Sequence, residues 1–294
     1  MAAPITQSRR EVNGVELALL EAGPTTGRLA LLLHGFPDTP WGWQPTLEAL
    51  ADAGYHAVAP YLRGYAPSAI PEGGTASLGA YTADAHALHD VLGGDGDAVL
   101  IGHDWGALTT YGAAATGAER WSRIVTASIP PASVMASRMM DYDQVKRFWY
   151  QYVFLQPSAE ALVAHDDLRF IEGLWHDWSP GYTGVEAIAR VKDALRDPAN
   201  LTAAISLYRV VHGVLEPQPE FADLAFAFVM PHTQPTLYLH GTEDGCMTCD
   251  VVDEAGAALP DGSRAEAIDG AGHFLQYERP ELVTRLIVDF VTSS

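Results

Sequence analysis

The residues able to do chemistry together fall in four short stretches. AVLIGHDWGALTT, residues 98–110, sets Asp104 between Gly102 and Gly106, after an apolar run and before helix-forming sequence. A strand that passes straight into a helix through Gly-x-Asp-x-Gly needs glycine on both sides, because neighbouring backbone comes close there. The central carboxylate is then presented at the helix N-terminus, where the dipole favours negative charge. It can be a nucleophile, or it can simply cap the helix. LYLHGTED, residues 237–244, runs from a strand into the acidic pair Glu243 and Asp244. IDGAGHF, residues 268–274, puts His273 on a Gly-rich loop. LLLHGFP, residues 31–37, ends a strand in a turn that can aim the Phe36 amide at developing charge. The Phe36 and Trp105 N–H groups are the expected oxyanion hole. A lone Asp or His is more often structural; agreement of all the stretches decides for catalysis.

The elements that must hold these residues are strands alternating with helices. Val15–Leu20, Leu29–His34, His56–Ala59, Ala98–Ile101 and Arg123–Ile129 read as strands. Helical patterns lie over Trp43–Ala53, over Tyr81–Leu92 and after Gly106. This rhythm predicts an α/β fold with a mostly parallel sheet covered on both faces. From about Pro130 to Thr233 the rhythm stops. That segment is rich in aromatics and helix formers, as in RFWYQYVFLQP (147–157) and FIEGLWHDWSPGY (170–182), and reads as a helical insertion. Strands resume at Thr236–His240 and Arg264–Ile268, with helices over Val252–Ala258 and Pro280–Val291. The expected division is a core of residues 1–130 and 234–294 and a helical cap of 131–233.

HGFPDTPWGW, GHDWG, GTEDG and GAGHF resemble the α/β-hydrolase superfamily. Within it the chain is similar to the soluble epoxide hydrolases, with the haloalkane dehalogenases as close relatives. The order nucleophile, acid, histidine, each after a strand, is that superfamily's order. The resemblance implies an eight-stranded sheet and a cap. The Asp at the turn is its most specific part, since most members carry Ser. Displacement at saturated carbon by Ser would leave a stable ether. A carboxylate leaves an ester that water can cleave. Asp104 would attack an epoxide carbon, and His273, oriented by Asp244, would activate water against the ester. The Gly-x-x-Asp spacing favours Asp244 over Glu243. The resemblance also implies two cap tyrosines as acids for the leaving oxygen. Tyr150 matches the first, with Tyr152 as its rival, and Tyr208 matches the second; a cap aromatic can equally be core. His34, Pro37, Trp149, Tyr152, Phe154, Trp175 and Phe274 are the expected pocket lining. The chain departs from the family at Tyr61, where an Asp commonly stands two residues before Arg63.

No metal and no organic cofactor is expected. The partners expected are a small hydrophobic epoxide and water, and a homodimer is compatible with the sequence. Haloalkane dehalogenase is the runner-up. It shares the Asp, the His and the Trp after the Asp, but often has an Asn donor where this chain has Phe36. Fluoroacetate dehalogenases carry Arg at the position of Trp105. A ligand-binding protein on a silent hydrolase fold is the third reading, and the intact Asp104–Asp244–His273 set opposes it.

The 294 residues carry 37 acids against 17 bases, a net charge of −20. That excludes nucleic acid and anionic membrane surfaces as partners. No apolar run reaches the roughly 18 residues a bilayer needs. The start, MAAPITQSRREVNGVEL, lacks the apolar centre of a signal peptide, so a cytoplasmic protein is expected. Cys246 and Cys249 match C-x-x-C but lack further ligands, and read as packing residues. His86 and His89 read as solvated.

Overall fold

The computed structural model describes residues 3–293. Eight strands form one sheet: β1 (Thr6–Val12), β2 (Val15–Ala22), β3 (Arg28–Leu33), β4 (Tyr55–Pro60), β5 (Val99–His103), β6 (Arg123–Ala127), β7 (Thr236–Gly241) and β8 (Arg264–Ile268). Their spatial order is β1-β2-β4-β3-β5-β6-β7-β8. β2 is antiparallel to both β1 and β4, and every later pairing is parallel. The central strands are continuous apolar runs because both their faces are covered: β5 is buried along its whole length and β3 along all but its first residue.

The chain moves one way from β3 to β4 and the other way to β5. Ligands of open α/β sheets bind at such a reversal, outside the carboxyl ends of the strands. The register puts the functional loops there together. Leu33 pairs with Gly102, His103 with Ala127, and Gly241 with Ile268.

β1 is the strand that the apolar patterning does not announce. Its sequence TQSRREV is mostly polar, and it exists by pairing along the edge of β2. His89 is a correction as well. It is buried, not solvated: its Nε2 meets the Asp95 carbonyl at 3.1 Å and its ring packs edge-on to Trp121. His86 is half-buried against the Thr116 hydroxyl.

Between β6 and β7 the chain leaves the sheet. Helices Ala132–Arg138, Tyr142–Arg147, Trp149–Phe154, Ala159–Trp178, Val185–Leu195 and Pro198–Val211 follow in turn. Their apolar faces run into the packing on one side of the sheet, so Phe154, Leu174, Trp178 and Leu207 share a core with Leu31 and Leu100. Polar ties set where this layer sits. Trp175 Nε1 donates to the Pro37 carbonyl at 2.8 Å. Gln144 donates to the Cys246 carbonyl and accepts from the Thr248 amide. The Trp178 carbonyl takes the amides of both Gly245 and His273. The helical layer is thus hydrogen-bonded to three of the loops at the sheet edge.

Candidate active site

Asp104 sits between β5 and the helix Trp105–Thr116 with φ 54° and ψ −117°. Positive φ in a residue with a Cβ costs on the order of 1–3 kcal/mol and persists only where the surroundings enforce it. Here two close approaches enforce it. A Cβ on Gly102 would run into the Gly106 carbonyl, and one on Gly106 would run into the carbonyls of Leu33 and His34. The helix therefore starts directly against the ends of β3 and β5. The side chain makes no capping bond to its helix. Instead Oδ1 accepts from the Phe36 amide at 2.7 Å. Gly35 allows this, since a Cβ there would strike the Asp104 side chain. Trp105 occupies the first helical position, where an amide has no intrahelical partner.

His273 follows β8, and its Nε2 stands 3.6 Å from Asp104 Oδ2. Its Nδ1 meets Asp244 Oδ2 at 3.0 Å. The other Asp244 oxygen accepts from the amides of Cys246 and Met247 at 2.7 and 2.9 Å. Glu243 points away, exposed. Burial works against the imidazolium, but Asp244 and then Asp104 outweigh it and push His273 up to about 10. The same ion pairing, with His240 adding to it, holds Asp244 below the usual carboxylate value despite its burial. The His273 carbonyl is also fixed, by Ser128 Oγ at 2.7 Å and His103 Nε2 at 2.9 Å.

Tyr150 and Tyr208 come from two of the helices between β6 and β7 and pack edge-on to each other, centroids 5.7 Å apart. Burial is the main cause that raises both phenols well above 10. They therefore remain neutral hydrogen-bond donors at ordinary pH. The Tyr208 hydroxyl is buried without a partner, as is Trp105 Nε1, whose indole lies edge-on to the Tyr208 ring. Tyr150 Oη lies 3.6 Å from Cys246 Sγ. Tyr152, the rival, is half exposed and packs near His212 on the outside.

A cavity of about 70 Å³ opens on Asp104, Trp105, Tyr150, Gln151 and Cys246. Ligand-sized pockets hold roughly 300–1,000 Å³, so a substrate must displace side chains here. The residues best able to yield are Met135 and Met139, whose side chains are the most adaptable of apolar ones.

None of the seven residues expected as pocket lining borders this cavity. His34 is sealed behind it, accepting from the Leu62 amide on Nε2 and meeting the Gly35 carbonyl on Nδ1. Pro37 gives its carbonyl to Trp175. Trp149 and Tyr152 face outward because they flank Tyr150 and Gln151 on the opposite side of a short helix. Phe154 packs behind Phe36 and Tyr208. Trp175 and Phe274 stack on each other at 3.6 Å, forming a wall beside His273. Tyr208 is not among the lining residues; its ring packs edge-on to Trp105 and Tyr150, which are.

The residues that do line it, among them Met135, Met139, Phe148, Val211 and Phe228, carry no motif. Cys246 is buried in the lining while Cys249 is exposed, so the C-x-x-C pair is not one unit. Tyr61 replaces the family's Asp and accepts from Trp41 Nε1 at 2.8 Å.

The family model of the α/β-hydrolase fold matches residues 31–280. The chain belongs to this family, the class that the sheet, the turn and the three converging loops define. Over an alignment of 327 positions it is 32% identical to Epoxide hydrolase A of Mycobacterium tuberculosis, covering 99% of this chain and 98% of that one. Among solved structures it is similar to Epoxide Hydrolase A from Mycobacterium thermoresistibile, with 28% identity, TM-score 0.74 and 98% of both chains covered. It is also similar to an epoxide hydrolase from an endophytic Streptomyces, with 26% identity and TM-score 0.77, over 98% of this chain and 95% of that one. Within the family it stands with the epoxide hydrolases. No helix among the described residues is long and apolar enough to cross a membrane.

Proposed function

We propose that the protein converts a small apolar epoxide and water to a vicinal diol through an ester on Asp104. The single observation that carries the reading is Asp104 itself: a carboxylate held at positive φ, one oxygen on the Phe36 amide, the other facing His273. We also propose residues 1–130 and 234–294 as the catalytic core and 131–233 as the cap, and assign no role to the seven outlying aromatic and turn residues beyond shape.

In the first step an Asp104 oxygen forms a bond to an epoxide carbon and the carbon–oxygen bond breaks. The departing oxygen takes a proton from Tyr150, with Tyr208 as second donor; general acid help of this kind is worth roughly 10²–10⁴ in rate. The ester is uncharged. One of the two anions that hold the proton on His273 has gone, so the imidazolium becomes a stronger acid, loses its proton to solvent and is left as a base. The phenolate, whose buried site favours the neutral form, regains a proton. Neutral His273 then takes a proton from water as that water attacks the ester carbonyl carbon. The Phe36 and Trp105 amides receive the oxyanion. Collapse expels the diol oxygen and His273 returns the proton to it. The second proton of the water then passes from the Asp104 carboxyl to His273, which restores the carboxylate, now carrying one oxygen from water, and the imidazolium.

A halide leaving group needs no proton, and the buried phenols would be idle beside it. The test is to offer styrene oxide, 1-chlorobutane and 1,2-dibromoethane in turn. The reading expects diol from the epoxide and no free halide from the other two. Halide release without diol would overturn it.

A further inference from the structure

Tyr150 has one proton to give, and a hydroxyl can spend it in the wrong direction. Its neighbours determine which way it goes. Gln151 Nε2 donates to Tyr150 Oη at 3.2 Å, so the phenol oxygen accepts on that side. On the other side Oη meets Cys246 Sγ at 3.6 Å, at the cavity wall. Sulfur is a weak acceptor, so a proton resting on it is released at little cost when an oxygen enters.

The Gln151 amide could in principle turn round. It would then present its carbonyl to Tyr150 and take up the proton the reaction needs. His212 opposes this in the tautomer that carries its proton on Nε2: that atom meets Gln151 Oε1 at 2.9 Å and so keeps the carbonyl outward and the NH₂ group on Tyr150. His212 is fixed in turn: it ends the helix Pro198–Val211, its amide bonded to the carbonyl of Tyr208 one turn earlier. The chain of bonds runs from the helix that carries one phenol, through His212 and Gln151, to the hydroxyl of the other.

We propose that Gln151, held by His212, is a positioning residue that commits the Tyr150 proton to the cavity, and so to the epoxide oxygen. This rests on the reading of Tyr150 as an acid for ring opening. The amide donates where a carboxylate of the same length could only accept. Gln151→Glu therefore draws the phenol proton onto its own carboxylate, where it is not free for an entering oxygen, while filling the same space.

The experiment is a double-mutant cycle read on ester formation alone. Wild type, Gln151→Glu, Tyr150→Phe and the double variant are mixed with styrene oxide, quenched in acid within one turnover, and the alkylated fraction is followed by intact-protein mass. With Tyr150 present, Gln151→Glu should slow ester formation by at least about tenfold, a fraction of what general acid help supplies. In the Tyr150→Phe background the same change should cost less than about twofold, because the group it acts through is gone. An equal loss in both backgrounds means that Gln151 acts by charge or packing, and overturns the proposal. No loss in either background overturns it too. If Tyr150→Phe alone leaves ester formation at the wild-type rate, the acid role of Tyr150 is what fails. Should Gln151→Glu not fold, Gln151→Met removes the donor without adding charge, and its smaller loss of about threefold must likewise vanish without Tyr150.

Discussion

The two halves of this site are built differently. At the sheet edge, the acting side chains are anchored by hydrogen bonds, and an atom left open is His273 Nε2, which faces Asp104. Asp104 Oδ1 has the Phe36 amide, Asp244 has two amides and His273, and the His273 carbonyl has Ser128 and His103. In the helical layer above, the two phenols are held more loosely. The Tyr208 hydroxyl has no partner, and Tyr150 rests against a thiol. The difference fits a division of labour. Groups that attack must be preorganised, because a misplaced nucleophile forfeits rate steeply. Groups that receive a leaving oxygen must hold their protons unspent until it arrives.

Changes at the sheet edge should therefore cost the most. Asp104→Asn keeps the shape of the turn and removes the nucleophile. Diol formation should fall by about 10⁴-fold or more, as loss of a nucleophile does in other covalent enzymes. A variant within tenfold of wild type would show that the edge is not where covalent chemistry happens. Next comes the helical layer. The pair Tyr150→Phe and Tyr208→Phe should lower ring opening by about 10³-fold, with each single change milder. Normal ester formation in the pair would erase the contrast between the two regions.

The pH dependence of stability should follow the buried histidines near the sheet edge. Burial holds His34 at about 4 and His103 at about 3, below the ordinary histidine value. As pH falls below about 6.5, the unfolded chain takes up protons these two refuse, so stability is lost on the acid side. Asp38 opposes them in part. It lies buried under Tyr277, Gln276 and Thr39, and burial raises it to about 7, so its contribution returns as pH falls. Burial likewise holds His240 and His86 low and Glu278 and Asp84 high. The histidines outnumber the carboxyls: the thermal midpoint should drop between pH 6.5 and 4, and a flat or rising midpoint would contradict this balance. The smallest effect belongs to the outer face of the cap. Tyr152→Phe, at a half-exposed ring, should change the diol rate by less than about twofold. A larger loss would bring Tyr152 back as a rival to Tyr150.

The same contrast explains what the sequence reveals. Around Asp104 the requirement is written in residue types, because Gly102, Gly106 and Gly35 sit where a Cβ cannot fit. The apolar runs of β3 and β5 announce strands buried on both faces. The cavity lining leaves no such trace. Which face of a cap helix meets the sheet is fixed by distant ties, such as Trp175 to Pro37 and Gln144 to the Cys246 loop. Trp149 and Tyr152 face out while Tyr150 and Gln151 face in, and no local pattern in WYQY separates them. β1 escapes for a related reason. Its residues are polar, and only pairing with β2 makes them a strand. Gln151 and His212 likewise gain meaning only from the chain of bonds they complete.

The most direct test of the central reading follows one oxygen. Enzyme in excess over styrene oxide is allowed a single turnover in water enriched in oxygen-18. An ester on Asp104 hydrolysed at its carbonyl carbon leaves the heavy oxygen in the Asp104 carboxylate, found by peptide mass, and the diol unlabelled. Heavy oxygen in the diol, with Asp104 unchanged, would mean that water attacks the epoxide directly and that Asp104 is not the nucleophile.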